Sequence, residues 1–62
     1  MQTNIAKLRL EKNLSQLGLS KKIGASQKIV SDWEKETSAP GAGYLIKLAN
    51  FFEVSIDYIL KQ

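Results

Sequence analysis

The chain has 62 residues, nine of them basic and six acidic, which gives it a mild net charge of +3. It contains neither histidine nor cysteine, so a disulfide framework, a thiolate metal site, an imidazole base and a thiol nucleophile are all excluded. We therefore expect one non-enzymatic domain over residues 1–62, with no catalytic residue, no metal site and no cofactor.

The charge and the apolar runs restrict the partners. A net positive charge suits a polyanionic partner, and an enzyme that relies on carboxylates alone is the remaining catalytic alternative. No apolar run approaches the roughly 20 residues that a membrane-spanning helix needs, and residues 1–10 lack the apolar core of a secretory signal. We expect a cytoplasmic protein with no membrane partner.

Apolar residues follow helical spacing throughout and predict an all-α fold of five short helices around one core. Helix 1 is expected from about Asn4 to Lys12, with a cap near Thr3 and a left-handed stop at Asn13. Helix 2 is expected from Gln16 to about Ile23, with Ser15 as its N-cap.

The next two helices are separated by clear stop signals. Gly24 ends helix 2 because glycine tolerates positive φ, and Ser26 caps a third helix expected from Gln27 to about Lys35. Pro40 prevents a continuous helix through the following turn. Helix 4 is expected over about 42–52.

The last element begins at a serine cap, Ser55, and Asp57 in its first turn suits the helix dipole. It carries the apolar residues Ile56, Ile59 and Leu60. The inward positions expected on the other helices are Ile5, Leu8, Leu19, Ile23, Val30, Trp33, Leu45, Leu48, Ala49 and Phe52.

Helices 2 and 3 form the most informative unit. A helix of about eight residues, a tight glycine turn and a second capped helix match the helix-turn-helix pattern, here over about 15–35. Ser20 stands where helix 2 faces helix 3, and its small side chain permits a close approach. The residues of the motif are Leu14, Ser15, Gln16, Leu19, Ser20, Ile23, Gly24, Ala25, Ser26, Val30, Ser31, Trp33 and Glu34.

This pattern resembles the Cro and phage-repressor type (XRE-like) of helix-turn-helix family. The likeness extends ungapped from about Asn4 to Leu60 and implies a compact five-helix, lambda-repressor-like domain. In such a domain helix 2 crosses the DNA backbone and helix 3 lies in the major groove. The resemblance therefore implies a sequence-specific transcriptional regulator, a repressor, that binds double-stranded operator DNA as a homodimer on palindromic half-sites.

The resemblance also assigns DNA contacts. The base-reading residues it implies are Gln27, Lys28, Ser31 and Asp32, and it implies a phosphate contact for Gln16, a role that Ser26 can share at the start of helix 3. Three further phosphate-contacting candidates follow from their position after or at the end of helix 3: Lys35, Thr37 and Ser38. Gln27 can bridge adenine and Lys28 can donate to guanine, whereas Asp32 can accept from cytosine N4 or exclude other sequences. Thr37 and Ser38 are turn residues first, and a contact with the DNA backbone is their secondary interpretation.

Arg9 and Glu34 match an ion pair that, in this family, joins helix 1 to helix 3. Tyr58 and Leu60 are candidate dimer contacts, with closure of the core as the alternative. Two departures stand out: the family often has Asn-Gly where this chain has Lys35-Glu36, and Gly18 costs helix 2 about 1 kcal/mol relative to alanine.

A protein-interaction module on the same fold, such as an antitoxin or a coactivator-like bridge, is the alternative function. Leu10, Leu17 and Tyr58 would then form its surface. Asp32 and Glu36 would explain why helix 3 is not more basic.

Overall fold

A computed structural model describes residues 3–60, so the ends of the domain predicted over 1–62 lie outside the described residues. Within the described range the chain forms five helices and no strand, which confirms the all-α prediction. The helices are α1 (Ile5–Glu11), α2 (Gln16–Ile23), α3 (Gln27–Lys35), α4 (Ala42–Phe52) and α5 (Ile56–Ile59). They enclose one core in a body of 24 × 24 × 20 Å.

Over residues 3–60, no helix is both long enough and apolar enough to cross a membrane.

Three helices begin at the predicted serine caps. Each serine hydroxyl accepts a hydrogen bond from the backbone N–H three residues later, which satisfies one of the free donors of the first turn. The bonds run from Gly18 N to Ser15 Oγ at 2.9 Å, from Ile29 N to Ser26 Oγ at 3.2 Å and from Tyr58 N to Ser55 Oγ at 3.1 Å.

The start of α1 differs from the prediction. Its N-cap is Asn4 rather than Thr3, and the Asn4 side chain makes no capping bond. Its Nδ2 donates instead to the backbone carbonyl of Tyr58 at 2.7 Å, and its backbone N–H donates to the carbonyl of Ile59 at 2.9 Å. Docking against α5 therefore sets where α1 begins. The helix ends at Glu11, one residue earlier than predicted.

The first four helices are followed by a residue at positive φ. These residues are Asn13 at 57°, Gly24 at 72°, Glu36 at 64° and Glu53 at 58°. In each case the next backbone N–H donates to the carbonyl five residues back, at 2.8–3.1 Å, as in a Schellman motif. The left-handed stops predicted at Asn13 and Gly24 are confirmed, and Glu36 takes the left-handed conformation that glycine often provides in the family.

The core draws on all five helices. Its buried side chains are Ile5, Leu8, Leu19, Ile23, Val30, Trp33, Leu48, Phe52 and Ile59. Leu45 and Ala49 are partly buried and pack against this cluster. Trp33 is 2% exposed and meets Tyr44 edge-on, with 5.2 Å between ring centroids. Trp33 is therefore a core residue, as its spacing with Val30 predicted.

Two small residues of α2 allow close packing, one in the core and one beside the N-cap of the helix. Ser20 is buried, and its hydroxyl donates to the carbonyl of Leu17 at 2.6 Å. A Cβ at Gly18 would lie 3.2 Å from the capping oxygen of Ser15 and 3.5 Å from Leu14 Cδ2. Gly18 thus keeps space for the N-cap, a benefit that its helix propensity alone does not reveal.

Candidate nucleic-acid interface

Helix α3 has two distinct faces. Val30 and Trp33 are buried on one side of the helix. Four polar residues lie on the other side, since at 3.6 residues per turn their positions fall within less than half of the helix circumference. These four, hereafter the reading strip, are Gln27, Lys28, Ser31 and Asp32. Gln27 and Lys28 are exposed, whereas Ser31 and Asp32 are half-buried. The structure thus brings all four predicted base-reading residues together on one outward surface.

Two residues of the reading strip contact each other. Lys28 Nζ lies 3.4 Å from Asp32 Oδ2, one helical turn away. The Lys28 side chain is 84% exposed and the Asp32 side chain 31% exposed, so solvent screens the pair and its net strength is small. The cation and the carboxylate of the reading strip therefore lie side by side, so that one base pair could contact both.

A second ion pair, between Arg9 of α1 and Glu34 of α3, is far less exposed. Arg9 Nε donates to Glu34 Oε2 at 2.7 Å and Nη2 donates to Oε1 at 3.0 Å, with the two side chains only 14% and 10% exposed. Arg9 Nη1 also donates to the carbonyl of Leu14 at 2.7 Å. Hydrogen bonding to Glu34, helped by its charge and opposed by burial, raises the pKa of Arg9. The only arginine of the chain is thereby committed inside the fold.

Gln16 extends this network to α2. It is the first residue of the helix, and its Nε2 donates to Glu34 Oε1 at 3.1 Å. An amide nitrogen carries two donors, so the bond to Glu34 uses one of them. Only a phosphate contact was predicted for Gln16 from the sequence, because nothing in the local sequence pairs positions 16 and 34.

The other predicted phosphate contacts lie at the two ends of α3. Ser26 and Lys35 are exposed at its start and its end, and Ser38 is exposed in the loop that follows. Thr37 Oγ1 donates to the carbonyl of Asp32 at 3.2 Å. The Thr37 hydroxyl therefore helps to close α3, the turn role that was the first interpretation of this residue from the sequence.

Lys47 of α4 lies close to the turn of the motif. Its Nζ is 3.8 Å from the position that a Cβ on Gly24 would occupy, and 6.0 Å from the ring centroid of Tyr44. Lys47, Tyr44 and Gly43 line a shallow surface depression. No local sequence signal brings α4 to this turn, so the position of Lys47 required the structure.

Several large apolar side chains stay at the surface. Tyr58 is 38% exposed and accepts a hydrogen bond at its hydroxyl from Lys7 Nζ at 3.3 Å, while Leu60 is half-buried. Leu10 and Leu17 are 61% and 46% exposed. Both side chains are therefore open to solvent on α1 and α2.

A helix-turn-helix family profile matches residues 5–59, nearly the whole described range. The chain belongs to the XRE family of helix-turn-helix domains. The domain is also 33% identical over 58 residues to YqaE of Bacillus subtilis (strain 168), named as an uncharacterized HTH-type transcriptional regulator. The match covers 94% of this chain and 50% of that relative, so the chain spans about half of the relative's length.

Family membership confirms the resemblance predicted from the sequence. It also indicates DNA binding, rather than catalysis, as the class of function of this helix-turn-helix domain.

Proposed function

We propose that this helix-turn-helix domain binds a specific operator in double-stranded DNA and represses transcription by occupying the promoter. The observation that carries the proposal is the reading strip on α3, which is polar and outward while the opposite face of the same helix is locked into the core. A helix with this division can enter the major groove and present side chains to base edges.

Specificity would come from a small polar set. Gln27 can bond adenine through N6 and N7, and Lys28 can donate to guanine O6 and N7. The Ser31 hydroxyl can donate to or accept from a base edge. Asp32 accepts from cytosine N4 or repels sequences that present only acceptors.

Affinity would come from phosphate contacts at the ends of α2 and α3. Helix N-termini present free N–H groups and a partial positive charge to an anion, and Gln16 and Ser26 stand at two such ends. Lys35, Thr37 and Ser38 would contact the backbone at the far end of α3. Because such contacts release counterions, binding would weaken steeply as salt increases.

We further propose a homodimer on palindromic half-sites, with Tyr58 and Leu60 at the contact. Tyrosine suits an interface since it offers both an apolar ring and a polar end. Ile46 on α4 and Ile56 on α5, the helix that carries Tyr58, are further exposed apolar side chains. Because operator DNA must be reached, we place this function in the cytoplasm.

One observation favours a second candidate, a protein-interaction module such as an antitoxin or a coactivator-like bridge. Leu10 and Leu17 are exposed large apolar residues on α1 and α2, and a protein partner would cover them. In that case Asp32 and Glu36 would keep α3 from binding DNA.

Titration of a random-sequence duplex at low and at moderate salt separates the two candidates. The operator-binding proposal expects measurable binding at low salt that falls sharply at moderate salt, because non-specific affinity rests on phosphate contacts. No binding even at low salt would exclude it and favour the interaction module.

A further inference from the structure

The carboxylate of Glu34 joins three helices through one pair of oxygen atoms. Oε2 accepts from Arg9 Nε at 2.7 Å, and Oε1 accepts from both Arg9 Nη2 at 3.0 Å and Gln16 Nε2 at 3.1 Å. Arg9 comes from α1, Gln16 from α2 and Glu34 from α3. The bidentate arginine fixes the plane of the carboxylate, and the carboxylate in turn fixes the amide of Gln16.

A free glutamine at the start of α2 would adopt many rotamers and would lose that freedom on meeting DNA. Here the ordering takes place on folding, since the partner that holds the amide lies within the domain. A contact prepared in this way gives tighter binding than the same contact made by a mobile side chain.

We propose that Glu34 is a positioning residue for phosphate recognition, acting through Gln16. This inference rests on the proposed operator binding and deepens it. Glu34 itself touches no DNA in this account, because its side chain is only 10% exposed and both oxygens are occupied. Arg9 cancels its negative charge, so the carboxylate orients the amide without repelling the phosphate.

The charge of Glu34 and its proposed positioning role predict opposite changes in DNA affinity for one substitution. Glu34→Gln removes a negative charge, and electrostatics alone would then strengthen binding to a polyanion. Glutamine, however, offers one acceptor oxygen where glutamate offers two. It cannot hold Arg9 and Gln16 in the same arrangement, so positioning predicts weaker binding.

The test is a double-mutant cycle on a selected duplex with Gln16→Ala, Glu34→Gln and the double variant. Losing a hydrogen bond to a charged phosphate should weaken binding about tenfold in Gln16→Ala. We expect Glu34→Gln to weaken it about threefold, since the contact is loosened rather than lost. The double variant should bind no more weakly than Gln16→Ala alone. Glu53→Gln is the matched control, since it removes an exposed carboxylate at the C-terminal end of α4, and should leave affinity unchanged.

Tighter binding by Glu34→Gln, or effects that simply multiply in the double variant, would overturn the positioning role while leaving operator binding intact. Failure of the unsubstituted domain to bind any duplex would overturn both. Should Glu34→Gln unfold, Glu34→Asp enters the cycle, because it keeps the charge but withdraws the carboxylate by one methylene.

A second readout needs no DNA. Nitrogen-15 relaxation of the side-chain amides should show Gln16 ordered in the free domain and mobile in Glu34→Gln, with the exposed Gln27 mobile in both. Equal mobility of Gln16 and Gln27 in the unsubstituted domain would contradict the inference.

Discussion

Individual side chains divide between holding the fold and facing the proposed DNA partner. Arg9 is a structural residue, since Glu34 and the Leu14 carbonyl take its donors. Guanine recognition would thus fall to Lys28, which already lies beside Asp32. In operator binding, the lysine would have to leave that carboxylate or share it, so a favourable base must compensate for the lost pair.

Lys28→Ala tests the base-reading role. It should relax preference at one base pair and reduce discrimination there by about 1–3 kcal/mol, the usual value of a specific base contact. Parallel binding to the selected duplex and to its single-base variants measures the effect. Lys21→Ala, an exposed lysine of α2, is the control and should retain the full preference. Equal weakening on every duplex would assign Lys28 to phosphate instead.

Arg9→Ala tests the structural role of the ion pair. The change strands a nearly buried carboxylate and should lower the free energy of unfolding by about 3 kcal/mol. Because Glu34 raises the pKa of Arg9, this stabilisation is complete at neutral pH and is lost only as pH rises through that elevated value. Urea unfolding at neutral pH measures the loss. The exposed Lys22→Ala should change stability by less than about 0.5 kcal/mol; a similar small change in Arg9→Ala would show that the pair contributes little.

The helices owe their boundaries mostly to local chemistry. Serine caps start α2, α3 and α5, and left-handed residues follow α1 through α4. Glu36 and Glu53 carry that conformation with a Cβ, which costs roughly 1–2 kcal/mol relative to glycine. Backbone hydrogen bonds therefore hold two helix ends in a conformation that their own residues disfavour.

Glu36→Gly and Glu53→Gly should each raise the free energy of unfolding by about 1 kcal/mol, because glycine adopts positive φ without strain. Chemical denaturation of both variants checks this. Lys21→Gly, inside α2, is the control and should lower stability by about 0.7 kcal/mol. A loss of stability in both glutamate variants would mean that their side chains support the turns.

What the sequence revealed depended on how local each signal was. The bounds of α2, α3 and α4 followed from caps, stops and a proline that act within a few residues. The start of α1 did not, since Asn4 bonds to α5, 54 residues away in sequence. The Gln16–Glu34 bond likewise joins positions 18 apart. Helical spacing was enough to predict the reading strip, but only the structure showed that Lys28 and Asp32 form an ion pair.

At the scale of the whole molecule, a small core is reinforced by a partly buried polar link between three helices. A chain of this size buries only about 60% of its unfolded surface, so that link supports both stability and the angle between α2 and α3. The outcome is a helix-turn-helix domain whose third helix presents one polar strip opposite its buried face. Two such strips, related by a two-fold axis, would match a palindromic operator.

Selection of bound duplexes from a random pool, followed by sequencing, tests operator binding by this domain most directly. We expect enrichment of one consensus with two-fold symmetry and half-sites about 10 base pairs apart, one helical turn of DNA. A pool that shows no enriched sequence after repeated rounds would contradict sequence-specific recognition by α3.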